Sequence, residues 1–420
     1  MSNYHYLPAT NASVHWGYFS KCLKPLLVVK SGDFATIETL THHGGDDYDL
    51  LIKGDPGAES VYFWTATQKN VRRRGAGPTS GVLKRGSGEG LGVHLLTGPV
   101  YVEDAEPGDV LEVRILDVRP RPCGNPEYRG RTFGINAAAS WGFHYGDLID
   151  YPAPREVITV FDLDATGREN WAKAVHSYTW TTQTDPDGFV HSTIDYPGVI
   201  VDQSTVSKRH RILEGVRIPV RLHFGTMGLA PSEADYVSSI PPSYTGGNID
   251  NWRIGKGATM YYPVAVPGAL FSVGDPHAGQ GDSELCGTAI EASLTGLFQF
   301  IVHKQRNLDD ILQGLDYPLL ETTEEWIIHG FSFPNYLAAL GPDAQIAVAS
   351  HASIDKAMRD AFRKTRRFLM TTRALTEDEA VTLMSVAIDF GITQIVDGNW
   401  GVHAIVKKAL FAGSNAFVPR

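Results

Sequence analysis

Cysteine is scarce in this sequence, and no two cysteines are closely spaced. Cys22, Cys123 and Cys286 stand far apart in a chain of 420 residues. Without a CxxC pair they provide neither a disulfide framework nor a thiolate zinc site. A reducing compartment is the simplest interpretation, and we predict a cytoplasmic protein. Cys286 as a nucleophile has no supporting His/Asn pattern and is the weaker alternative.

Long apolar runs and excess positive charge are also missing. No run reaches the ~18 apolar residues of a membrane-spanning helix. The N-terminal sequence MSNYHYLPATNASVHWGYFS lacks a basic segment followed by an apolar one, so no signal peptide is predicted. The 47 acidic and 37 basic residues give a net charge of −10. This balance argues against nucleic-acid or anionic-membrane partners and favours a small molecule.

Several catalytic signatures are absent too. The sequence contains neither HExxH nor a serine nucleophile elbow, so neither a zincin nor an ordinary serine hydrolase is supported. Residues 86–90 are rich in glycine but lack the Lys-Ser/Thr of a phosphate loop, and we interpret them as a turn. The three arginines at 72–74 are interpreted as a surface cluster.

Glycine and proline are plentiful and scattered, with 43 and 24 residues. Short β-branched and aromatic segments lie between them, and this punctuation is typical of antiparallel β proteins. The segments are LLVVK, VYFWTAT, EVITVFDLD, HSYTWTT, VIVDQ, IPVRLHFG and ATMYYPVAV. The clearest strand follows the turn at residues 107–109, where Leu111, Val113 and Ile115 alternate with their neighbours.

Helical patterns concentrate in the last third of the chain. Ser353 is predicted to cap a helix that extends to Met370, and Thr376 with Glu379 forms a capping box for a second helix that runs to Phe390. Residues 284–300 fit a strand or a helix equally well. We predict a mainly β (α+β) protein with an antiparallel sandwich or jelly-roll-like core and helices added toward the C-terminus.

Two details complete this prediction. Gly391 is expected to end the second helix. The basic face of the first helix is interpreted as solvated, because the chain as a whole is acidic; it comprises Arg359, Arg363, Lys364, Arg366 and Arg367. A soft boundary separates a mostly β region at 1–240 from a region at 241–420 that carries the polar motifs, and the two could form one compact unit.

Residues 241–291 concentrate the side chains that carry chemistry. Asp275 and His277 are two residues apart, as are Asn248 and Asp250, and this spacing projects side chains to one side of an extended segment. His223 ends the apolar strand IPVRLHFG. Imidazole and carboxylate ligands suit zinc or a similar divalent ion. For each residue taken alone, a turn aspartate or a satisfied core histidine is about as good an interpretation.

Two further segments offer acid or imidazole groups. In the GQGDSE segment, Glu284 could take a proton from water and return it to a leaving amine, although an acidic surface loop has the same spacing. The segment HHGGDD begins at His42 and His43 and contains Asp46 and Asp47. We interpret it as a solvated acidic loop in preference to a metal site.

Five blocks of sequence carry a family resemblance. GGNID at 246–250 and PGALFSVGDPHAGQGDSE at 267–284 resemble the central motifs of the acetamidase/formamidase family of amide hydrolases. HFGTMGLAP, TGPVYVEDAEPGD and SVAIDFGITQIVDG resemble three others, in family order across most of the chain. Asp104 and Ser283 stand where the family usually has glycine, which puts pocket shape and substrate choice in question more than reaction type.

The resemblance implies hydrolysis of a short carboxamide, such as formamide, acetamide or a small lactam, to a carboxylate and ammonia or amine. It also implies a mostly β fold and a homo-oligomer. Our hypothesis for the mechanism has Glu284 as the proton-transferring residue and a divalent metal, zinc, that activates water. The expected metal ligands are His223, Asp250, Asp275 and His277, and the expected substrate-orienting residues are Gly247, Asn248, Gln280 and Gly281.

Two other function classes stay open at this level. A cupin-like metal-dependent oxygenase shares the ligand types and the β pattern but not the family motifs. A non-catalytic β-sandwich module that binds a ligand is the other alternative. Whether Glu103, Glu291 or His94 joins the site is left open by the sequence.

Overall fold

The structure is a computed structural model that describes residues 2–62, 92–166, 168–184, 188, 190–194, 199–309 and 311–411. The turn at 86–90, the arginines at 72–74 and most of VYFWTAT lie outside these residues. The first two residues of VYFWTAT, predicted as strand, instead end a helix at Tyr62. The predicted strand VIVDQ is an irregular segment in the structure.

The strands and helices of the described residues are numbered in chain order. The strands are β1 Tyr4–Leu7, β2 Val14–Trp16, β3 Tyr18–Phe19, β4 Leu27–Val29, β5 Phe34–Thr39, β6 Leu95–Val102, β7 Val110–Pro120, β8 Arg131–Ala138, β9 Val157–Asp164, β10 Trp171–Thr179, β11 Gln183–Thr184, β12 Val190–His191, β13 Arg209–His210, β14 Ile218–Pro219, β15 His223–Gly228, β16 Val237–Ser238, β17 Gly246–Asn248, β18 Thr259–Pro263, β19 Phe271–His277, β20 Leu294–His303, β21 Leu319–Glu321, β22 Glu325–Phe331, β23 Asp389–Gln394 and β24 Gly401–Lys407. The helices are α1 Tyr48–Leu51, α2 Pro56–Tyr62, α3 Tyr336–Leu340, α4 Ala344–Ala347, α5 Ile354–Arg373 and α6 Glu377–Ala387.

The largest sheet has nine strands in the order β1-β5-β20-β7-β18-β21-β22-β24-β23. All of its pairs are antiparallel except β1 with β5. Residues 110–120 form β7, which confirms the strand predicted after the turn at 107–109. The sequence left residues 284–300 undecided. The part from residue 294 onward belongs to strand β20, which pairs with both β5 and β7, whereas residues 284–293 form neither a helix nor a strand.

A second sheet has the order β17-β15-β19-β6-β2, with β4 added beside β6. It packs face to face on the nine-stranded sheet through aromatic side chains. The ring centroids of Phe224 on β15 and Phe298 on β20 are 5.3 Å apart, and those of Phe271 and Phe300 are 5.2 Å apart. These rings belong to one buried apolar cluster. The mainly β, antiparallel fold is therefore confirmed.

The sheet order also bears on the predicted division at residue 240. Both large sheets contain strands from either side of that residue. In the nine-stranded sheet, β5 pairs with β20, and β7 pairs with β20 and β18. In the second sheet β19 lies between β15 and β6. A third sheet, β13-β10-β9-β8 with β14 beside β10, comes entirely from the first region. The boundary itself stays a prediction.

The helices gather in the C-terminal third, as predicted. The side chain of Ser353 accepts a hydrogen bond from Lys356 N at the start of α5, and Thr376 with Glu379 forms the capping box of α6. The predicted end of α6 was wrong. The helix stops at Ala387, and Gly391 lies within β23, because residues 389–394 pair with β24. Tertiary pairing has overridden the local helical pattern.

The interpretation of α5's basic face needs one correction. Lys364 is buried, where its ammonium group donates to the Asp360 carboxylate at 2.6 Å and to the His329 carbonyl at 3.1 Å. Arg359 and Arg363 are exposed, as expected. Among the helices in the described ranges, none is long and apolar enough to span a bilayer.

Candidate active site

A cavity of about 290 Å³ opens at one end of the second sheet, and buried acids and histidines crowd its inner wall. Its polar lining comprises His42, His94, Ser140, Thr193, Asn248, Asp250, Asp275, Glu284, Thr288, Glu291 and Asp397. Its apolar lining comprises Val93, Trp141, Ile194, Ile240 and Val396, with Gly287 beside them. The cavity wall therefore combines buried acids and histidines with apolar side chains.

Three neighbouring strands bring the central acids together. Asp275 and His277 lie on β19, and Asp250 follows β17. Strand β15 runs between β17 and β19, and its Gly225 faces both carboxylates. A Cβ atom at residue 225 would lie 2.3 Å from Asp250 Oδ1 and 2.5 Å from Asp275 Oδ2. Only glycine leaves room for these side chains to meet across β15.

Three of the acids have left-handed backbone conformations. The φ angles are +52° at Asp250, +51° at Asp275 and +47° at Glu284. Aspartate tolerates this region better than most residues, whereas glutamate rarely enters it. Such backbone strain costs on the order of 1–3 kcal/mol per residue and concentrates at functional sites. The surrounding fold therefore holds these carboxyl groups in place against local preference.

His277 stands between two carboxylates at the centre of the cluster. Its Nε2 lies 3.2 Å from Asp275 Oδ1 and 3.1 Å from Glu291 Oε1. Burial works to lower the pKa of His277, but Glu291 and Asp275 raise it well above its ordinary value. Burial likewise opposes the charge of Asp275, yet the imidazoles of His277 and His94 hold the pKa of Asp275 well below its ordinary value. These two residues form a buried ion pair.

The remaining acids of the cluster hold their protons more tightly. Burial and then the Asp275 carboxylate raise the pKa of Asp250 to about 7. Burial and then Asp250 raise the pKa values of Glu284 and Asp397 well above the ordinary carboxyl range. Like charges at short range in a dry site cannot all ionise together. The acidic region therefore favours a neighbouring positive charge.

Two histidines flank Asp275 on its other side. His42 Nδ1 lies 3.6 Å from Asp275 Oδ1, and His94 Nε2 lies 3.7 Å from Asp275 Oδ2. His94 is oriented by its other nitrogen, because Nδ1 is 2.8 Å from the Ser239 hydroxyl. Burial lowers the pKa values of His42 and His94, so both rings are neutral. A neutral imidazole is the form that binds a metal ion.

The described residues contain three groups whose side chains each offer a ligand atom within 4.8 Å of the others. These groups are His42/His94/Asp275, Asp250/His277/Glu284 and Asp275/His277/Glu291. The structure thus brings together Asp250, Asp275 and His277, three of the four residues that the sequence predicted as metal ligands. The roles of these residues stay predictions.

His223, the fourth expected ligand, lies beside this cluster in a different setting. It is the cross-strand partner of His277, and the two ring centroids are 4.9 Å apart. His223 Nδ1 lies 2.6 Å from the Arg221 carbonyl and Nε2 lies 2.7 Å from Gln280 Oε1. Burial and then His277 lower the pKa of His223 to about 3. Protein carbonyl oxygens therefore already approach both of its nitrogens.

The expected substrate-orienting residues divide into two sets. Asn248 lines the cavity, and its Oδ1 accepts from the Thr226 hydroxyl at 2.6 Å, so its Nδ2 is the group that it can offer to a substrate oxygen. Gln280 supports the acids from behind, since its Nε2 donates to the Asp250 carbonyl at 2.7 Å. Gly247 and Gly281 are not among the residues that line the cavity.

The segment at 42–47 is the main correction to the sequence interpretation. It is not a solvated loop, because His42, His43, Asp46 and Asp47 are all at most 4% exposed. His43 Nδ1 lies 2.6 Å from Asp46 Oδ2, and its ring centroid lies 4.5 Å from that of His42, with the two rings tilted by 48°. The HH dipeptide was a signal for this site. Asp46 and Asp47 beside it led to the interpretation of a solvated acidic loop.

Four further titratable residues line the cavity. His42 and Asp397 were not predicted to act there, and the sequence left the roles of His94 and Glu291 open. Glu291 is held by two isolated bridges, to Ile135 and to His277. Glu103 does not join the site, because it is partly exposed and lies 3.8 Å from Lys30.

The cluster's chemistry fits a divalent cation. Although His277 Nε2 lies within 3.2 Å of two carboxylate oxygens, neither contact has hydrogen-bond geometry, and Glu291 Oε2 is buried without a hydrogen-bond partner among the described residues. Ligand atoms bound at ~2.0–2.2 Å around a tetrahedral zinc lie ~3.3 Å from one another. The separations around His277 are of that size.

Comparison with known proteins identifies the family of the chain. The sequence profile of the Acetamidase/Formamidase family matches residues 91–238 and 234–411. The chain is 32% identical over 219 residues to an acetamidase of Mycolicibacterium smegmatis, which covers 47% of this chain and 50% of that protein. It is 29% identical over 231 residues to a formamidase of Methylophilus methylotrophus, covering 47% and 49%. The matches thus span about half the length of these relatives.

The fold has known counterparts as well. The crystal structure of an acetamidase from Bacillus halodurans superposes with a TM-score of 0.62 at 20% identity and covers 97% of this chain and 98% of that one. At this identity the likeness concerns the fold. The matched residues include Asp250, Asp275, His277 and Asp397. This chain is a member of the acetamidase/formamidase family.

Proposed function

We propose that the protein is an amidohydrolase that cleaves a carboxamide to a carboxylate and ammonia, using water activated beside the buried acids of the cavity wall. Membership of the family supports the reaction class. The observation that carries the proposal is the buried cluster around His277. There Asp275, whose pKa is lowered, lies close to Asp250 and Glu284, whose pKa values are raised. Paired carboxyl groups with separated pKa values are suited to moving a proton from one reacting atom to another.

Glu284 is the residue to which we assign proton transfer. It lines the cavity, and its ligand atom is within 4.8 Å of those of Asp250 and His277. A cation bound beside it would favour the ionised form of Glu284, which would then accept a proton as water oxygen bonds to the amide carbon, and would give that proton to the nitrogen as the C–N bond breaks. The return of the proton is necessary because an amide anion is too poor a leaving group. Asn248 Nδ2 would donate to the amide oxygen as negative charge develops there.

A divalent cation, zinc in our proposal, fits the same cluster. Asp275, Glu291 and His277 would hold it, with Asp250 beside them, and His277 would release its proton when the ion binds. His42 and His94 offer two more nitrogen ligands around Asp275. When bound, such an ion lowers the pKa of water and polarises a carbonyl oxygen. It would also supply the positive charge that the buried acids require. His223 and Gln280 would then orient His277 from behind.

Ammonia release tests the proposal directly. Formamide, acetamide, propionamide and benzamide would be offered to purified protein, before and after prolonged chelation and then with zinc added back. We expect release that chelation abolishes and zinc restores. Release that survives thorough removal of metal would keep the amidase and refute the cation. If no amide in the series releases ammonia while the protein is folded and metal-loaded, the amidase proposal fails.

A further inference from the structure

We infer that Glu156 is a positioning residue, whose carboxylate ties together two loops of the cavity wall and thereby holds the substrate-facing surface in place. This inference rests on the proposed amidase function and adds a residue to it. Glu156 is not among the residues that line the cavity, and it acts through Ser140 and Ile194, which are. Three observations carry the inference: where the two loops lie, how the carboxylate is shared between them, and how Glu156 itself is anchored.

Two loops form the part of the cavity wall that meets solvent. Ser140 follows β8, and Thr193 and Ile194 follow β12. Among the described residues that line the cavity, Ser140 and Thr193 are exposed, whereas the others are half-buried or buried. These two residues therefore lie at the boundary between the cavity and solvent. We refer to Ser140, Thr193 and Ile194 as the rim.

One carboxylate joins the two parts of the rim. Glu156 Oε1 accepts a hydrogen bond from Ser140 N at 3.1 Å, and Oε2 accepts one from Ile194 N at 2.6 Å. We call these two bonds the Glu156 bridge. Glu156 is 6% exposed, and hydrogen bonds to a buried carboxylate are stronger than bonds between neutral groups. A single side chain thus fixes the separation of two loops that are distant in the sequence.

Glu156 itself is anchored to the third sheet. It immediately precedes β9, which pairs with both β8 and β10. Its carbonyl oxygen accepts a hydrogen bond from Trp180 N at 2.9 Å, directly after β10. The side chain therefore projects from the end of a strand that is paired on both sides. Groups held by regular elements are positioned more precisely than groups held by loops alone.

The residues assigned to the chemistry are anchored by other contacts. Asn248 accepts a hydrogen bond from Thr226, and the Asp250 carbonyl accepts one from Gln280. Loss of the Glu156 bridge should therefore loosen the rim while these residues keep their places. A loosened rim must be ordered when substrate binds, and the cost of that ordering weakens binding. The inference predicts a raised KM with a nearly unchanged kcat.

Kinetic constants of two variants test this prediction on the amide with the highest kcat/KM in the ammonia-release series. Glu156→Ala removes both acceptor oxygens, and we expect KM to rise about 10-fold while kcat stays within about 3-fold of the wild type. Glu156→Gln keeps one acceptor oxygen, so its KM should lie between those of the wild type and Glu156→Ala. A wild-type KM in the folded variants would refute the role of Glu156. If Glu156→Ala does not fold, a wild-type KM in Glu156→Gln refutes it alone.

Glu112→Gln is the matched control for the loss of a buried carboxylate elsewhere. Glu112 is 3% exposed on β7, contacts Arg114 and His303, and is not among the residues that line the cavity. This variant should lose stability and keep the wild-type KM. An equal rise of KM in Glu112→Gln would show that general destabilisation controls substrate binding, and would overturn the inference.

Hydrogen exchange tests the Glu156 bridge without turnover. Exchange at single backbone amides would be measured by mass spectrometry with electron-transfer fragmentation. In Glu156→Ala the amides of Ser140 and Ile194 should exchange about 10-fold faster than in the wild type, because each has lost its acceptor. In Glu112→Gln they should exchange as in the wild type. Unchanged exchange in Glu156→Ala would refute the bridge.

The two readouts separate failure of this inference from failure of the amidase proposal. If no amide is hydrolysed, calorimetric titration with propionamide and benzamide replaces KM. Weaker binding in Glu156→Ala, together with faster exchange at both amides, would then support the positioning role, and the chemistry would be reassigned. If hydrolysis occurs but neither KM nor exchange changes, the amidase stands and the positioning role is refuted. Faster exchange with a wild-type KM would also refute it, because the bridge would then be structural only.

Discussion

Gly225 and Asp250 are so close that a β-carbon at residue 225 would lie 2.3 Å from Asp250 Oδ1. In Gly225→Ala the new methyl group would collide with the carboxylates of Asp250 and Asp275 and should displace both side chains. We expect kcat/KM to fall by about 100-fold or more, because small misplacements of reacting groups cost factors of this size. Overpacking should also destabilise the protein by about 1–3 kcal/mol. Steady-state kinetics and denaturant unfolding measure the two effects.

Gly281→Ala is the stability control for that variant. A Cβ atom there would meet nothing within 4 Å, and Gly281 is exposed. Its free energy of unfolding should stay within about 0.5 kcal/mol of the wild type. Wild-type kinetics in Gly225→Ala would show that the cluster tolerates displacement, and would refute the need for glycine.

Glu284→Gln should remove proton transfer while it keeps the shape of the cavity. We expect kcat to fall by about 10²–10⁴-fold, the usual contribution of a positioned acid–base group. Bound metal, measured by mass spectrometry, should change little. The control is Asp282→Asn in the same segment, because Asp282 is exposed and paired with Arg253 at 2.9 Å. Full activity in Glu284→Gln would move the proton-transfer role to another carboxyl group, with Asp250 the nearest candidate.

Two ion pairs on α5 have the same spacing and differ in burial. Lys364 and Asp360 are buried, and Asp360 Oδ2 also accepts from Phe331 N at 2.9 Å. Asp355 and Arg359 form an exposed pair at 2.8 Å. Lys364→Met should cost about 3–5 kcal/mol, because it leaves a buried carboxylate without its partner. Arg359→Met should leave the free energy of unfolding nearly unchanged, because water screens the exposed pair. Urea unfolding of both variants checks the contrast, and equal costs would contradict it.

His329 should make the protein less stable in mild acid. Its Nδ1 lies 3.0 Å from the Pro318 carbonyl and its Nε2 lies 3.1 Å from Asn251 Nδ2, which satisfies one neutral tautomer. Burial lowers the pKa of His329 to about 3. Between that value and the ~6.5 of an unfolded histidine, the unfolded chain binds more protons, so stability falls as pH falls. The contribution at pH 5 is roughly 2 kcal/mol.

The variant His329→Gln isolates this contribution. Wild type and variant would be unfolded in urea at pH 7.5 and at pH 5. The wild type should lose about 2 kcal/mol more than the variant between the two values. His351→Gln, at an exposed position of the same region, should behave as the wild type does. Parallel losses in wild type and His329→Gln would show that another group controls acid sensitivity.

The central part of the site could be predicted from the sequence for a local reason. Asp275 and His277 are two residues apart on β19, and their side chains meet at 3.2 Å. The i, i+2 spacing in a strand brings side chains to one face. Asp275 nevertheless has φ of +51°, so the contact depends on a local distortion as well as on the spacing. The spacing predicted that the two side chains lie close together, but it did not predict the left-handed backbone of Asp275.

His42, His94 and Asp397 could not be placed by local pattern. They come from loops that enter the cavity because distant strands pair, and no spacing in the sequence records that pairing. Asp46 and Asp47 made the first loop resemble a solvated one. Burial of such acids depends on partners elsewhere: Lys208 donates to Asp47 at 2.8 Å. The helical pattern was likewise extended wrongly to Phe390, with Gly391 as its stop, because pairing with β24 decides the conformation there.

The wall of the cavity draws on residues from His42 to Asp397, which spans most of the chain. During synthesis, strands β23 and β24, which lie on either side of Asp397 in the sequence, must therefore leave the ribosome before the acidic cluster can form. Until then the partly made chain carries His42 and Asp275 without their full set of neighbours. A metal ion present at that stage would meet an open, incomplete set of ligands. If the proposed cation is bound in the finished protein, its loading is thus expected to follow completion of the fold.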